Sequence, residues 1–460
     1  MSMTPRVRFR IVAMALGAVI ALAPAVVVAS AGAAAAATSC TNTAFIGLGD
    51  PPTAGSIASA GQVDCYQYFA KKGQAMRVRV VGTGGGLVPS TAVDGPSGGA
   101  ICGPSTNADQ TCKASSKGLQ TIAIQAAANT GSYTVQIQLT HLPVNCASLG
   151  FANPPNTGTI VAGAMSCFTF KAPAGSHLVT RAVATSGSLV PQLEELNAKG
   201  NTQCGPDATL EQNCRLLSGG NETLFVEDAA GPNAGSFALY AQLTRSVGCT
   251  TLKLGKAVQS SITSAGQTDC YHFTGVHGHR MRVTVATTSG ALVANTEVFK
   301  PNGTSFCATS TVTEQSCRLS SDGTHTVYVS DVNGTATGNY TIYVQDLAAP
   351  QNCTTVQYGN HGDQHPATIS FPGAENCYLF AGTGNTGAHL TVKTTSGSLT
   401  PAFDMYVPSG GDFVSGRCDH SATDERCLLP TTGTYLIIVR DASAKNTGSY
   451  YYTLTERIFS

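Results

Sequence analysis

The chain has 460 residues, with 26 Lys or Arg against 26 Asp or Glu, so neither sign of charge dominates. This balance excludes the strongly basic surface that a nucleic-acid partner requires. Charged residues make up only 11% of the chain and glycine contributes 50 residues, which is typical of short strands joined by glycine turns and not of disorder.

The first 37 residues have the pattern of a secretory signal peptide. Arg6, Arg8 and Arg10 precede an apolar run over residues 11–28, and the small-residue stretch ASAGAAAAA follows. The alternative is a membrane anchor, which this alanine-rich flank disfavours, and no later run of 18 apolar residues occurs. We therefore expect a secreted, extracellular protein with no membrane span after signal removal.

The remaining chain repeats one unit four times. The phrase AGQVDCYQYF at residue 60 returns at residue 265 as AGQTDCYHF, and sixteen cysteines fall into four quartets with nearly constant spacing. The quartets are Cys40, Cys65, Cys102, Cys112; Cys146, Cys167, Cys204, Cys214; Cys249, Cys270, Cys307, Cys317; and Cys353, Cys377, Cys418, Cys427. The predicted domains are residues 38–145, 146–248, 249–350 and 351–460.

Within each unit the apolar residues recur at every second position. In RMRVTV, Met281, Val283 and Val285 share one face, while Arg282 and its polar neighbours share the other. This period is that of half-buried antiparallel strands. Roughly seven or eight such runs per unit predict an all-β fold of four tandem antiparallel β-sandwich domains, jelly-roll-like, with almost no helix.

Even cysteine counts in an exported chain predict disulfides. Four cysteines allow three pairings, which the sequence leaves open. We favour first with second and third with fourth, because Cys307 and Cys317 flank a loop short enough to close a hairpin. A zinc site is the competing interpretation, but the pairs lack the two-to-four-residue spacing of zinc ligands.

The order AGQTDCYHF, GHRMRVTV, KPNGTSF, SSDGTHTVYVSD and TGNYTIYVQDL resembles the bacterial pre-peptidase C-terminal (PPC) domain. The resemblance covers the chain after the signal peptide in four copies, with the cysteine pairs as an addition to the family pattern. It implies a small jelly-roll sandwich, similar to collagen-binding modules, and the role of an accessory to secreted hydrolases.

Two catalytic or metal-binding motifs have simpler explanations. Residues 95–99 read G-x-S-x-G, but the stretch aligns with P-N-G and P-S-G turns in the third and fourth units and lacks the strand-to-helix context of a nucleophile. The histidine pairs His277 with His279 and His361 with His365 lie among turn residues, which favours solvated histidines over ligands.

Two further groups are candidate binding residues. Asp419, Asp424 and Glu425 are clustered between the last two cysteines and form a candidate calcium site, since calcium takes several oxygen ligands. In the last strand, Tyr450 aligns with a core position, so alternation directs Tyr451 outward and makes it a candidate ligand-binding residue.

We therefore expect a protein without catalysis of its own, with no cofactor apart from this calcium. It would serve in extracellular binding, adhesion or surface structure, through weak contacts multiplied by repetition. The partner would be an extracellular polymer or a surface protein. The alternative is a polysaccharide- or protein-binding accessory to a separately encoded secreted hydrolase.

Overall fold

The computed structural model describes residues 39–244, 248–360, 363–408 and 423–457. The described residues form strands and turns and no helix, which confirms the predicted all-β class. Each of the first three repeats has nine strands and the described part of the fourth has eight, slightly more than the sequence predicts. Because alternation makes one side of every strand apolar, each repeat can close two sheets around a core.

The strands of repeats 1 and 2 follow in chain order. Those of repeat 1 are β1 Asn42–Phe45, β2 Thr53–Ile57, β3 Val63–Ala70, β4 Ala75–Gly82, β5 Val88–Asp94, β6 Ala100–Ser105, β7 Asp109–Lys113, β8 Gly118–Ala128 and β9 Gly131–Leu139. Those of repeat 2 are β10 Ala147–Ser148, β11 Asn156–Ile160, β12 Met165–Ala172, β13 His177–Ala184, β14 Pro191–Leu196, β15 Thr202–Asp207, β16 Glu211–Arg215, β17 Gly220–Asp228 and β18 Gly235–Leu243.

Repeats 3 and 4 continue the same order. The strands of repeat 3 are β19 Thr250–Thr251, β20 Val258–Ile262, β21 Thr268–Gly275, β22 Arg280–Gly290, β23 Ala294–Phe299, β24 Ser305–Ser310, β25 Glu314–Arg318, β26 Gly323–Asp331 and β27 Gly338–Asp346. The strands of repeat 4 are β28 Thr354–Thr355, β29 His365–Ile369, β30 Glu375–Gly382, β31 Gly387–Gly397, β32 Pro401–Tyr406, β33 Asp424–Leu428, β34 Gly433–Asp441 and β35 Gly448–Arg457.

Every repeat is a sandwich of two sheets with one topology. In repeat 1, one sheet has the order β1-β3-β8-β5-β6 and the other β2-β9-β4-β7. The pairs are antiparallel except for β1, which runs parallel to β3. Repeats 2 and 3 reproduce this order strand for strand, and repeat 4 does so over its described strands, β28-β30-β34-β32 and β29-β35-β31-β33.

The repeated sequence phrases have structural causes. In AGQTDCYHF, the Gln267 side chain accepts from the amide of Thr263 at 2.7 Å and donates to Asp269 at 2.9 Å. Asp269 in turn accepts from the hydroxyl of Tyr340, which lies 2.6 Å from that of Tyr271 in the core. The phrase therefore ties a turn to the core tyrosines of both sheets.

The TSGSL and AGSF phrases of repeat 2 are close neighbours in space. Gly187 has a φ of 74°, and a Cβ there would lie 2.2 Å from the carbonyl oxygen of Ala234. Leu189, two residues later, is buried in the core of the repeat. Only glycine fits this crossing of two chain segments, which explains why the other units repeat it.

The cysteines pair first with second and third with fourth, as favoured. Seven such disulfides are present: Cys40–Cys65, Cys102–Cys112, Cys146–Cys167, Cys204–Cys214, Cys249–Cys270, Cys307–Cys317 and Cys353–Cys377. Cys418 lies outside the described residues. In repeats 1 to 3 the second bond joins the two sheets at the edge of the sandwich, as shown by Cys102 on β6 and Cys112 on β7.

Candidate functional site

The described repeats belong to one compact unit, and the same two surfaces meet at each junction between them. We call the outer face of the four-stranded sheet in repeats 1 to 3, and of its counterpart in repeat 4, the docking face. The outer face of the other sheet is the receiving face. At each junction the docking face of one repeat contacts the receiving face of the next.

Buried arginines dominate the junction between repeats 1 and 2. Arg77 and Arg79 lie on β4 and pair with Glu194 and Glu227 of repeat 2, with Arg79 Nη1 lying 2.7 Å from Glu227 Oε2. Asp109 on β7 pairs with both arginines. Burial raises the pKa of Glu227 against the opposing pull of Arg77. Charges buried this deeply are stable only when paired. Separating repeats 1 and 2 would break these pairs, which is strongly destabilising.

The junction between repeats 3 and 4 uses one arginine with more partners. Arg282 has no exposed surface, and its Nε and Nη2 lie 3.2 Å from the two carboxylate oxygens of Glu375. Its Nη1 lies 3.1 Å from Asp404 and donates to the hydroxyl of Tyr406 at 2.6 Å. Arg282 and Thr284 on the polar face of RMRVTV are therefore buried, whereas the sequence predicts a half-buried strand.

The junction between repeats 2 and 3 combines a buried arginine with two tyrosine rings. Arg181 donates to the carbonyl oxygens of Asp331 and Val332 in repeat 3. Beside it, Tyr240 of repeat 2 packs edge-on against Tyr328 of repeat 3, with ring centroids 6.2 Å apart. Edge-to-face aromatic contact adds to the area that is buried here.

A pair of small residues completes the docking faces of repeats 1 to 3, at the point where a glycine turn of the next repeat approaches. In repeat 3 this pair is Ala286 and Thr341, and Thr341 donates to the carbonyl of Pro372 at 2.7 Å. A Cβ on Gly373 would lie 2.7 Å from the Cβ of Thr341 and 3.1 Å from that of Ala286. The pairs Val81 with Thr134 and Val183 with Ala238 meet Gly163 and Gly266 in the same way.

The docking face of repeat 4 has no repeat on it among the described residues. Here His389 stands where repeat 3 has Arg282, and the small pair is replaced by Lys393 and Tyr451, which are cross-strand partners. Tyr451 is partly exposed and Lys393 is exposed. A further repeat docking in the same way would bring a glycine turn against these two long side chains.

One polar cluster on this face is satisfied from within repeat 4. His389 Nε2 lies 2.6 Å from Asp424 Oδ1, and the hydroxyl of Thr391 donates to the same oxygen at 3.0 Å. The hydrogen bond from His389 lowers the pKa of Asp424 below its ordinary value. Asp424 thus occupies the position of Glu314 in repeat 3, which pairs with Arg282 of its own repeat and also lies 3.9 Å from Arg440 of repeat 4.

The predicted site residues fall on different parts of repeat 4. Tyr450 is buried in the core and Tyr451 lies on the docking face, between Pro366 and Lys393 on the neighbouring strands. Asp424 and Glu425 are consecutive on β33, so they point to opposite sides of the sheet. Asp419 lies outside the described residues, and the calcium site stays a prediction.

Other candidate chemistry in the described residues is structural. The G-x-S-x-G stretch is the turn between β5 and β6, closed by a hydrogen bond of 2.8 Å from the amide of Gly95 to the carbonyl of Gly99. His279 lies 2.7 Å from Asp346 in its own repeat, and His361 is outside the described residues. The two groups of potential metal ligands, around Cys249 and Cys204, consist mainly of disulfide sulfurs, which lack a free thiolate.

The buried arginines are functional positions that the sequence interpretation missed. Arg77, Arg181 and Arg282 each lie 12 or 14 residues after the second cysteine of their repeat, on the polar side of an alternating strand. That regular offset was a usable signal. A second signal was that repeat 4 has no arginine at either offset, where it carries His389 and Thr391.

Comparison with known proteins gives no family. No family model matches the chain, and no curated protein matches it. Among solved structures, the CUB1-EGF-CUB2 domain of human MASP-1/3 covers 44% of this chain and 99% of its own, at 11% identity and a TM-score of 0.14. The same domains of rat MASP-1 cover 45% of this chain and 100% of their own at 10% identity and a TM-score of 0.16. Tripeptidyl peptidase 2 covers 68% of this chain and 33% of its own, at 8% identity and a TM-score of 0.16.

TM-scores this low assign neither fold family nor function. No helix among the described residues is long and apolar enough to cross a membrane.

Proposed function

We propose that this chain is an extracellular, non-catalytic binding protein. In this proposal, repeats 1 to 3 and their buried junctions form a stiff support, and the docking face of repeat 4 binds an extracellular polymer or surface protein. The observation that carries the proposal is the pair of partly exposed Tyr451 and exposed Lys393, at the position where the three other repeats carry small residues covered by a neighbour.

The disulfides support an extracellular location. Seven bonds distributed over all four repeats need an oxidising compartment to form and persist. The signal peptide predicted over residues 1–37 would deliver the chain to one. Export would also explain the small repeats, because each sandwich gains stability from its cross-links.

The use of the charged clusters supports a role without catalysis. Buried arginines and carboxylates often mark active sites. Here Arg77 pairs with Glu227, and Arg282 pairs with Glu375, across junctions where these pairs hold neighbouring repeats together. Their burial is accounted for by assembly of the array.

The four repeats do not provide four copies of an accessible docking face. The docking faces of repeats 1 to 3 are covered by repeats 2 to 4, so within the described residues this surface is uncovered in repeat 4 alone. We therefore replace the expected multivalent mechanism, for this face, by a single site on a rigid array. Tyr451 would supply a ring for stacking, and Lys393 and the His389–Asp424 pair would supply polar contacts.

A second candidate function is that of an accessory to a separately encoded secreted hydrolase. The resemblance to PPC domains favours it, and the same face would then hold the polymer that the hydrolase degrades. Both functions make Tyr451 the residue to test first.

The test is co-sedimentation of the oxidised protein with cellulose, chitin, peptidoglycan or collagen, with calcium and with chelator. We expect retention on one polymer, and on the order of tenfold weaker binding for Tyr451→Ala, because the ring contact is lost. Tyr451→Phe keeps the ring and should bind normally. Phe69→Ala, which removes a ring from repeat 1, is the matched control. Retention that is indifferent to Tyr451→Ala would refute binding through this face, and no retention on any polymer would refute a polymer as the partner.

A further inference from the structure

A second unusual surface lies on repeat 1, far along the chain from Tyr451. Three large apolar side chains are exposed on its receiving face: Phe45 at 74%, Phe69 at 52% and Leu119 at 44% of their full exposure. No described repeat covers this face. Scattered exposed apolar residues are normal, whereas contiguous ones mark an interaction site.

Strand pairing places these three side chains together. Phe69 on β3 and Leu119 on β8 are directly opposed, so they share a face. Phe45 on β1 is paired with Gln67, which lies two residues before Phe69 on the same side of β3. The three side chains therefore form one patch across three adjacent strands, which we call the Phe69 surface.

Lysines border this surface. The Nζ atom of Lys117 lies 6.0 Å from the centroid of the Phe69 ring, within reach of a cation–π contact. Lys71 and Lys72 are exposed in the turn after β3, and that turn is tied to the segment before Lys117 by a hydrogen bond from the amide of Gly73 to the carbonyl of Ala114. One carboxylate, Asp94, shares this side of the sheet, opposite Thr121.

The other three repeats lack both the three apolar residues and the lysine turn. At the three apolar positions the other units carry short or polar residues: Ser148, Lys171 and Asn221 in repeat 2; Thr251, Thr274 and Thr324 in repeat 3; and Thr355, Ala381 and Thr434 in repeat 4. The lysine turn reads Pro-Ala, Val-His and Thr-Gly in those repeats. Because the scaffold folds without these residues, their presence in repeat 1 calls for a function of their own.

We propose that the Phe69 surface binds the headgroup region of a lipid bilayer that contains anionic lipids. Phe45, Phe69 and Leu119 carry hydrocarbon and no hydrogen-bonding group, so they suit insertion among acyl chains better than recognition of a sugar or peptide. Lys71, Lys72 and Lys117 would lie at the level of the phosphates, where each lysine adds attraction to an anionic surface. This inference is independent of the proposed function of the repeat 4 face.

The test is sedimentation of the oxidised protein with vesicles of phosphatidylcholine alone and with about one third phosphatidylglycerol. We expect binding to the anionic vesicles only, weakening as salt is added because the charges are screened. Phe69→Ser with Leu119→Ser should reduce partitioning on the order of tenfold. Lys71→Gln with Lys72→Gln and Lys117→Gln should reduce it roughly 100-fold.

Controls separate the membrane from other partners. Leu217→Ser removes an apolar side chain of repeat 2 that is more exposed than Phe69 or Leu119, and it should leave partitioning unchanged. Thermal unfolding of each variant checks that repeat 1 still folds. A soluble polyanion that binds through the lysines alone, with the Phe69 and Leu119 variant unaffected, would overturn the proposal. So would failure of the wild-type protein to bind anionic vesicles at low salt.

Discussion

A glutamate in the core of repeat 2 gives a quantitative test of how the fold is held together. Glu195 has no exposed surface and neither carboxylate oxygen has a hydrogen-bond partner. At the same position the sister repeats carry Val93, Val298 and Met405, each within its hydrophobic core. Glu222 lies nearby and is also buried. A lone carboxyl in such surroundings is destabilising when charged.

The magnitude follows from linkage. Burial, and secondarily the charge of Glu222, raise the pKa of Glu195 from 4.5 to about 8. As the pH rises from 4.5 to about 8, the unfolded chain releases this proton while the folded chain keeps it, so stability falls with rising pH. This pKa shift lowers the free energy of unfolding by about 3 kcal/mol at pH 7 and by about 5 kcal/mol above pH 9.

We therefore expect Glu195→Val to raise the free energy of unfolding of repeat 2 by about 3 kcal/mol at pH 7. In the wild-type protein the free energy of unfolding should fall by roughly 1.4 kcal/mol per pH unit between about pH 5 and 8 because of Glu195. This pH dependence should be absent from the variant. Glu195→Gln should also remove this pH dependence of the free energy of unfolding. It should gain less stability than Glu195→Val, because its buried amide has no hydrogen-bond partner. Glu456→Gln, which removes an exposed carboxylate, is the matched control.

Hydrogen exchange of β14 and β17 amides is the appropriate assay, because a four-repeat chain need not unfold in one step. Exchange should slow in the Glu195→Val variant at pH 7, and less so at pH 5, after correction for intrinsic rates. Equal protection in wild type and variant at both pH values would refute the reasoning. It would mean that Glu195 reaches water or a partner that the structure does not provide.

Two further predictions concern the junctions and the turns. Arg282→Ala should destabilise the junction of repeats 3 and 4 by about 3–5 kcal/mol, because buried Glu375 would lose its cation and Asp404 would keep only Arg440, at 3.4 Å. Calorimetry should then show repeat 4 unfolding separately, and an unchanged transition would contradict this. Asp441→Ala should cost about 1–3 kcal/mol of thermal stability, measured against Asp441→Asn, because Asp441 accepts hydrogen bonds from the amides of Ser443 and Lys445. Burial opposes ionisation, but hydrogen bonds from Ser443 and neighbouring amides lower the pKa of Asp441, so this contribution is lost as the pH falls below the ordinary value of 3.8.

The sequence predicted the repeated sandwich and its disulfide order because both leave local, periodic marks. Alternation identifies the residues that share a face, and it correctly placed Met281 and Val283 inside. It cannot say what covers the opposite face, and so the burial of Arg282 was not predicted. The burial of Glu195 could have been predicted from the sequence, since aligning the four units places it at a position occupied by two valines and a methionine. Contacts between repeats depend on domain orientation, which no single strand pattern encodes.

The two faces that no described repeat covers differ from the covered ones in a way that packing alone explains only in part. The docking face of repeat 4 and the receiving face of repeat 1 lack the charges that pair at the junctions, as capping surfaces do. At the positions of Glu194 and Glu227, repeat 1 has Ala92 and Gln125. Capping favours small polar residues, however, and it gives no reason for exposed Phe69 or Tyr451. Because each ring costs solubility where a threonine would serve, contacts with other molecules are the simplest reason for their presence.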